Sequence, residues 1–185
     1  MDVIILHGTY GSPSENWFPW LRKQLEVEGH NVFVPKFPTP KNQSVQNWCK
    51  ILEKEAPRFG KNTILVGHSC GATYMLSILS VLEKPVHQSI FVSGFLGMLG
   101  DEEYDIPNRT FYDQSFDWQK ICKNAGETTV LHGNNDPYVP RSHAETLAKN
   151  LGVNPIFIKD GGHLNSESGY TKFPLLLEII NKGNK

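Results

Sequence analysis

Short apolar runs alternate with longer segments of mixed polarity along almost the whole chain. One run, Ile-Leu-Val at residues 64–66, is hydrophobic at every position, as expected for a strand that has helices on both faces. The predicted strands are residues 3–7, 31–37, 62–68, 89–95, 128–132 and 154–159. The predicted helices are residues 14–28, 44–56, 70–82, 115–124, 141–151 and 173–180.

This alternation predicts an α/β fold, a three-layer α/β/α sandwich around a mostly parallel, doubly wound sheet. The 185 residues suffice for one domain over 1–185, and no repeat or linker divides them. Residues 97–109 are acidic and have no clear period, so we expect either a loop or a small cap there. Functional sites on such a sheet lie just past the carboxyl ends of the strands.

The amino-acid composition argues against some classes of binding partner. Eighteen basic and nineteen acidic residues give a formal charge of −1, without the basic excess that is typical of nucleic-acid binding. The longest apolar runs are too short for a membrane span, and no signal-peptide pattern follows Met1. Cys49, Cys70 and Cys122 form no paired framework, which is typical of a reducing compartment. We therefore expect a cytoplasmic protein with neither nucleic acid nor membrane as a partner, and the oligomeric state stays open.

The sequence Gly-His-Ser-Cys-Gly at residues 67–71 matches the G-x-S-x-G motif and lies between a predicted strand and a predicted helix. A serine on such a tight turn takes a strained backbone conformation with positive φ. The residues two before and two after it must then lack side chains, and both are glycine. Ser69 is therefore the predicted nucleophile.

A serine nucleophile needs a base to take its proton and a third group to orient that base. Asp136 and His163 each follow a predicted strand, and a Gly-Gly pair would let the second loop bring His163 back over the sheet. The chain order Ser69, Asp136, His163 is that of α/β-hydrolases. Asp160 is the alternative acid, but it leaves the same strand as His163, so Asp136 is favoured.

The oxyanion that forms during acyl transfer needs backbone amide donors. One predicted donor is the amide of Cys70, directly after Ser69. The other is the amide of Thr9 in the loop after the first strand, with the Tyr10 amide as the alternative. The Cys70 thiol is the rival nucleophile, but it stands at the wrong position of the motif and is expected to be an inert, small apolar side chain.

Further side chains near the strand ends have expected roles. Those expected to contact an acyl substrate are Tyr10, Phe95, Tyr138 and Leu164. The histidines expected to brace strand ends through hydrogen bonds are His7 and His132. No histidine or cysteine cluster has the spacing of metal ligands, so neither a metal nor another cofactor is expected.

Several stretches together resemble one family: HGTYGSPSENWFPWL, NWCKIL, VGHSCGA, FVSGF, SFDWQKI, NNDPYVP and GGHLN. With them, the sequence is similar to the small serine-hydrolase branch of the α/β-hydrolases, which includes YdeN-like proteins and retinoblastoma-binding protein nine. The resemblance implies a minimal α/β-hydrolase fold without a large lid, and a triad at Ser69, Asp136 and His163. The motif L-x-C-x-E is absent, so no retinoblastoma partner is inferred.

These observations favour a serine hydrolase of the carboxylesterase type that cleaves a small ester, thioester or amide through an acyl-enzyme. Its expected partner is a small acyl substrate. Two alternatives remain open from the sequence. One is a protein-interaction module with a vestigial hydrolase site, and the other is an acyltransferase, in which an acceptor other than water resolves the acyl-enzyme.

Overall fold

The structure is a computed structural model and describes residues 1–183. The strands are β1 (Asp2–Leu6), β2 (Asn31–Phe33), β3 (Thr63–His68), β4 (Gln88–Val92), β5 (Glu127–Gly133) and β6 (Ile156–Ile158). The helices are α1 (Phe18–Val27), α2 (Val45–Glu55), α3 (Cys70–Val81), α4 (Glu102–Tyr112), α5 (Trp118–Asn124), α6 (Arg141–Leu151) and α7 (Pro174–Lys182). A short 3-10 helix, Ser166–Ser168, precedes α7.

The strands form one six-stranded sheet in the order β2-β1-β3-β4-β5-β6, and every neighbouring pair is parallel. Alternate residues of β1 enter different hydrophobic clusters: Ile4 and Leu6 join one, and Val3 and Ile5 join the other. Since successive side chains of a strand point to opposite faces, the two clusters lie on opposite faces of the sheet. Helices α2 to α6 contribute to the first cluster and α1 and α7 to the second. The predicted α/β/α sandwich is confirmed.

The strand order changes direction next to β1, because the chain places β2 on one side of it and β3 on the other. The carboxyl ends of β1 and β3 therefore flank the position where an open α/β sheet leaves a crevice for ligands. The loop after β1 and the turn after β3 meet at this crevice.

Residues 97–109 contain most of a helix that the sequence analysis missed. Helix α4 begins after Asp101, whose side chain accepts the Glu103 amide at 2.9 Å, and its first turn is acidic, which suits a helix N-terminus. Asp105 on α4 accepts the amides of Leu99 and Gly100 at 2.6 and 3.0 Å and so ties the preceding loop to the helix. The loop interpretation is wrong from residue 102 onward, because Pro107 within the helix disguised its period.

Among residues 1–183, no helix combines the length and the apolar character that crossing a bilayer demands.

Candidate active site

Ser69 stands in the turn between β3 and α3 with φ 54° and ψ −123°. A positive φ in a residue other than glycine is strained, and the surrounding backbone holds it here. The Ser69 amide donates to the Val92 carbonyl at 2.8 Å, and the Ser69 carbonyl accepts the amides of Ala72 and Thr73 at 3.0 and 3.2 Å. The predicted positive φ is confirmed, and α3 begins directly after the serine.

The positions two residues before and two residues after the serine have no room for a side chain. A Cβ at Gly67 would lie 2.5 Å from the Cα atom of Ala72. A Cβ at Gly71 would overlap the carbonyl oxygen of Leu6 and would lie 2.6 Å from that of His7. The two glycines therefore let α3 pack directly against the ends of β1 and β3, as the motif predicted.

Asp136 and His163 come from the loops after β5 and β6 and meet beside this turn. Asp136 Oδ2 accepts a hydrogen bond from His163 Nδ1 at 2.8 Å, and Asp136 Oδ1 accepts the amides of Tyr138 and Val139 at 2.9 and 3.0 Å. The Asp136 side chain is 1% exposed and that of His163 is 9% exposed. Burial alone would raise the pKa of Asp136, but the imidazole and the two amides outweigh it and hold this pKa below its ordinary value.

The loop that carries His163 is held by two asparagines from the loop after β5. Asn134 Oδ1 accepts the Asp160 amide and Asn135 Oδ1 accepts the Gly162 amide, both at 2.8 Å. The sequence Asn-Asn-Asp at residues 134–136 therefore both positions the histidine loop and orients the histidine ring.

Asp160, the alternative acid, is not paired with the imidazole. It is exposed, and within residues 1–183 its carboxylate forms no hydrogen bond or ion pair. The preference for Asp136 over Asp160 therefore agrees with the geometry.

Ser69 and His163 line one cavity of about 180 Å³ at the carboxyl end of the sheet. They form no hydrogen bond with each other in this structure, and such bonds in free enzymes often shorten only when substrate binds. Beneath them, His68 Nε2 donates to the His163 carbonyl at 2.9 Å. Burial lowers the pKa of His68 to about 3, so this supporting ring is neutral near neutral pH.

The loop after β1 packs closely against the serine. A Cβ at Gly8 would lie 2.8 Å from Ser69 Cβ and 3.3 Å from Ser69 Oγ. Within the part of the chain that the structure describes, the amides of Thr9 and Cys70 have no hydrogen-bond acceptor. Both predicted oxyanion donors are therefore unoccupied amides beside the serine.

The alternative oxyanion donor and the rival nucleophile are both less suited to these roles. The Tyr10 amide donates to Thr39 Oγ1 at 2.7 Å, so it is already occupied. The Cys70 side chain is fully buried, does not line the cavity, and receives a contact from Gln43 Nε2 at 3.7 Å. Burial raises the pKa of the Cys70 thiol, which disfavours the thiolate that a cysteine nucleophile needs.

A buried network of side chains holds the loop after β1 from behind. Gln43 Nε2 donates to Thr9 Oγ1 at 2.9 Å and to Asn108 Oδ1 at 2.8 Å. Thr9 Oγ1 donates to Asn108 Oδ1 at 2.6 Å, and Thr39 Oγ1 donates to Gln43 Oε1 at 2.6 Å. Gln43 and Asn108 are not recognisable from the sequence, because a single polar residue before or within a helix forms no motif.

The sequence matches the serine hydrolase family over residues 3–182. The chain belongs to this family. Bacillus subtilis (strain 168) YdeN is 30% identical to it over 97% of this chain and 94% of its own. The crystal structure of the B. subtilis ydeN gene product superposes with a TM-score of 0.90 at 29% identity, and the match covers 98% of this chain and 97% of the other.

Two further relatives extend the comparison. Serine hydrolase RBBP9 of Rattus norvegicus is 25% identical over 96% of this chain and 92% of its own. MGS-MChE2, an α/β hydrolase from a sediment metagenome of the Mar Chica lagoon, shares the fold with a TM-score of 0.73 at 18% identity, over 100% of this chain and 92% of its own. The predicted α/β-hydrolase fold is confirmed, and the protein is a hydrolase by family.

The four predicted substrate contacts of this serine hydrolase divide into two pairs. Tyr10 and Tyr138 line the cavity, whereas Phe95 and Leu164 are fully buried and do not. The backbone of Phe95 is bonded in both directions to Thr73 Oγ1, at 3.2 and 2.8 Å, which turns its ring into the core. The prediction for Phe95 is therefore wrong.

The prediction for Leu164 is wrong for a similar reason. Its carbonyl accepts Trp17 Nε1 at 3.0 Å, and its side chain packs in the cluster under α1 and α7. The cavity instead includes Tyr104 and Asn108 from α4, which the sequence analysis did not identify.

A larger apolar cavity, of about 520 Å³, lies between α2 and α3 and is lined by neither Ser69 nor His163. Ser69 and His163 therefore lie at the smaller of these two cavities. Among residues 1–183, no group of three or more histidine, cysteine, aspartate or glutamate side chains is arranged to hold a metal ion.

Proposed function

We propose that this serine hydrolase cleaves a small ester, thioester or amide through a Ser69–His163–Asp136 triad and an acyl-enzyme. The observation that carries the proposal is the 2.8 Å bond from the His163 ring to a buried Asp136, because His163 lines the same cavity as the strained Ser69. A nucleophile, a base and an orienting acid in this arrangement are the parts that acyl transfer needs.

In the first half of the reaction, Ser69 Oγ attacks the substrate carbonyl carbon and its proton passes to His163 Nε2. Asp136 keeps the Nδ1 proton of the ring in place and stabilises the imidazolium that forms. The carbonyl oxygen becomes an oxyanion, and the amides of Thr9 and Cys70 donate to it. When the tetrahedral intermediate collapses, His163 gives its proton to the leaving group and Ser69 keeps the acyl group.

In the second half, His163 takes a proton from water, and the resulting hydroxide attacks the acyl carbon. The Ser69–acyl bond then breaks, and Ser69 regains its proton from His163. The small cavity favours a short acyl group, since pockets for drug-sized ligands measure about 300–1,000 Å³ and this cavity measures about 180 Å³. A carboxylesterase-like activity on short-chain esters fits these dimensions.

A fluorophosphonate probe tests the proposed nucleophile. Intact-mass spectrometry of the treated protein should show one phosphonyl adduct on Ser69, because the probe reacts with an activated serine hydroxyl. Ser69→Ala should abolish the adduct and the hydrolysis of p-nitrophenyl acetate together.

Cys70→Ala is the matched control, since it removes the rival nucleophile and keeps the backbone amide. This variant should still form the adduct. An adduct that persists in Ser69→Ala, or that maps to Cys70, would refute the assignment.

A further inference from the structure

Gln43 lies just before α2 and does not line the cavity, yet its carboxamide reaches three separate segments around the serine. Its side chain is buried, and each of its polar atoms has a partner. Oε1 accepts Thr39 Oγ1, and Nε2 donates to Thr9 Oγ1 and to Asn108 Oδ1. An amide that is buried and fully bonded is held rigidly, because any rotation would leave a buried polar group without a partner.

These bonds act on two consecutive residues of the loop after β1. The Thr9 side chain is held directly by Gln43 Nε2 at 2.9 Å. The Tyr10 amide is held indirectly, because the Thr39 hydroxyl that accepts it at 2.7 Å donates to Gln43 Oε1 at 2.6 Å. The free Thr9 amide directly precedes both attachment points along the chain, and its nitrogen is bonded to the Cα atom that carries the held side chain. Its direction therefore depends on the position of the Gln43 carboxamide.

The same carboxamide connects the loop to both helices that border the site. Asn108 on α4 accepts both Gln43 Nε2 and Thr9 Oγ1, at 2.8 and 2.6 Å. Gln43 Nε2 also lies 3.7 Å from the sulfur of Cys70, whose amide begins α3. The segments that carry the two free amides therefore share one buried partner.

We propose that Gln43 is a positioning residue for the oxyanion hole. It fixes the backbone amide of Thr9 relative to the amide of Cys70, the first residue of α3. The inference rests on the function proposed above. Gln43 touches neither substrate nor the reacting atoms, and it acts only through Thr9 and its neighbours. An oxyanion donor contributes in the transition state and little in the ground state, so the loss of Gln43 should lower kcat and leave KM nearly unchanged.

Gln43→Met tests this proposal, because methionine keeps much of the volume and removes the hydrogen bonds. With p-nitrophenyl acetate we expect kcat to fall about 100-fold, the size of effect that a misplaced oxyanion donor produces. The affinity for a phenylboronic acid, which forms a tetrahedral adduct on the serine, should fall in parallel. The pH dependence of kcat/KM should keep the midpoint of the wild-type enzyme, because the Asp136–His163 pair is untouched.

Gln88→Met is the matched control. Gln88 is also buried, but it stands at the first residue of β4, at the opposite end of the sheet, and donates to the Ile179 carbonyl at 3.2 Å. Both substitutions remove a buried carboxamide and should lower Tm, whereas only Gln43→Met should lower kcat. Equal losses of kcat in the two variants would mean that general destabilisation is responsible, and this would overturn the positioning role.

Substitutions at Thr9 keep the proposal testable if Gln43→Met does not fold. Thr9→Val removes the hydroxyl that Gln43 holds but keeps the backbone amide, and it should reproduce the fall in kcat and in boronate affinity. Thr9→Ser restores the hydroxyl and should lose far less. If the two Thr9 variants behave alike, the side-chain contact with Gln43 does not set the amide and the inference fails.

The outcomes separate this inference from the function on which it rests. If the wild-type protein forms no serine adduct with a fluorophosphonate, the proposed function itself is refuted. If the adduct forms and Gln43→Met keeps kcat and boronate affinity within about twofold of wild type, only the positioning role is refuted. A rise in KM at constant kcat would also refute it, because it would show a loss of ground-state binding.

Discussion

The two oxygens of Asp136 have different partners, and this difference decides the effect of Asp136→Asn. Oδ1 accepts the amides of Tyr138 and Val139, so the substituted side chain keeps its oxygen there and turns its NH₂ group toward His163. His163 Nδ1 must then accept, and the ring proton moves to Nε2, where it prevents transfer from Ser69. We expect kcat to fall about 10⁴-fold at neutral pH with the fold intact.

Hydrolysis of p-nitrophenyl acetate and thermal unfolding of the same preparation measure the two halves of this prediction. Asp160→Asn is the control, since it removes a nearby carboxylate that is exposed and has no bond to the imidazole. A larger loss in Asp160→Asn than in Asp136→Asn would reverse the roles assigned to the two acids.

The residues of the proposed triad were predictable because each carries a signal that packing does not alter. Ser69 has a motif with two obligatory glycines, and Asp136 and His163 stand at strand ends in a recognised order. Phe95 and Leu164 also follow strand ends, but only the packed structure decides whether an apolar side chain turns toward the cavity or the core. Residue type and position alone therefore could not separate them from Tyr10 and Tyr138.

At the scale of elements, helix α4 was not predicted from the sequence, and most of the site residues that were not predicted lie on this helix or contact it. Pro107 interrupts the donor pattern within α4, and acidic residues dominate its first turn, so neither an apolar period nor a typical composition marked it. Tyr104 and Asn108 border the cavity because they lie on this helix. Gln43 could not be identified either, since its importance arises only when α4 and the loop after β1 come together.

The loops that border the cavity also predict a preference for substrate charge. Glu15 follows the loop after β1, Glu167 lies in the 3-10 helix, and among the described lining residues there is no lysine or arginine. Asn16 Oδ1 accepts the Ser166 amide at 2.9 Å, so the two segments that carry these glutamates lie side by side at the cavity. Acetylthiocholine should therefore have a kcat/KM about three- to tenfold above that of its uncharged isostere, 3,3-dimethylbutyl thioacetate.

A thiol-detection assay at two salt concentrations measures this preference. Added salt should reduce the ratio of the two kcat/KM values, because the carboxylates act through a screened field. Glu167→Gln should reduce the ratio as well, whereas Glu83→Gln, which removes an exposed charge beyond the end of α3, should not. A ratio of one in the wild-type enzyme at low salt would contradict the prediction.

On the scale of the whole molecule, three buried histidines join the carboxyl ends of the central strands to the loops of the site. His7 accepts the Phe37 amide at 3.0 Å and donates to the Gly8 carbonyl at 2.9 Å, and His132 donates to the Val139 carbonyl at 3.0 Å. The prediction that these two rings brace strand ends is confirmed. His68 plays the same part for the His163 loop.

Burial lowers the pKa of all three rings, which makes the fold sensitive to mild acid. A histidine with a lowered pKa stays neutral in the folded chain but takes up a proton in the unfolded chain once the pH falls below its ordinary value of 6.5. Stability is therefore full above pH 6.5 and is lost as the pH falls toward the folded-state pKa. The pKa of Asp136 is also lowered, but its contribution to the stability of the fold is lost only at lower pH, below its ordinary pKa of 3.8.

For His68, a pKa that shifts from 6.5 in the unfolded chain to about 3 in the folded chain corresponds to about 2 kcal/mol lost between pH 7.5 and pH 5. Urea unfolding at several pH values in this range measures the loss through the midpoint concentration at constant m. His68→Gln keeps a hydrogen-bond donor without a titratable ring, so its stability should fall less steeply toward pH 5 than that of the wild type. Gln88→Met, which changes a buried side chain without a titratable group, is the control and should lower the stability while keeping the wild-type slope. If the midpoint does not change between pH 7.5 and pH 5, or if His68→Gln keeps the full slope, the neutral buried ring is not the source of the acid sensitivity.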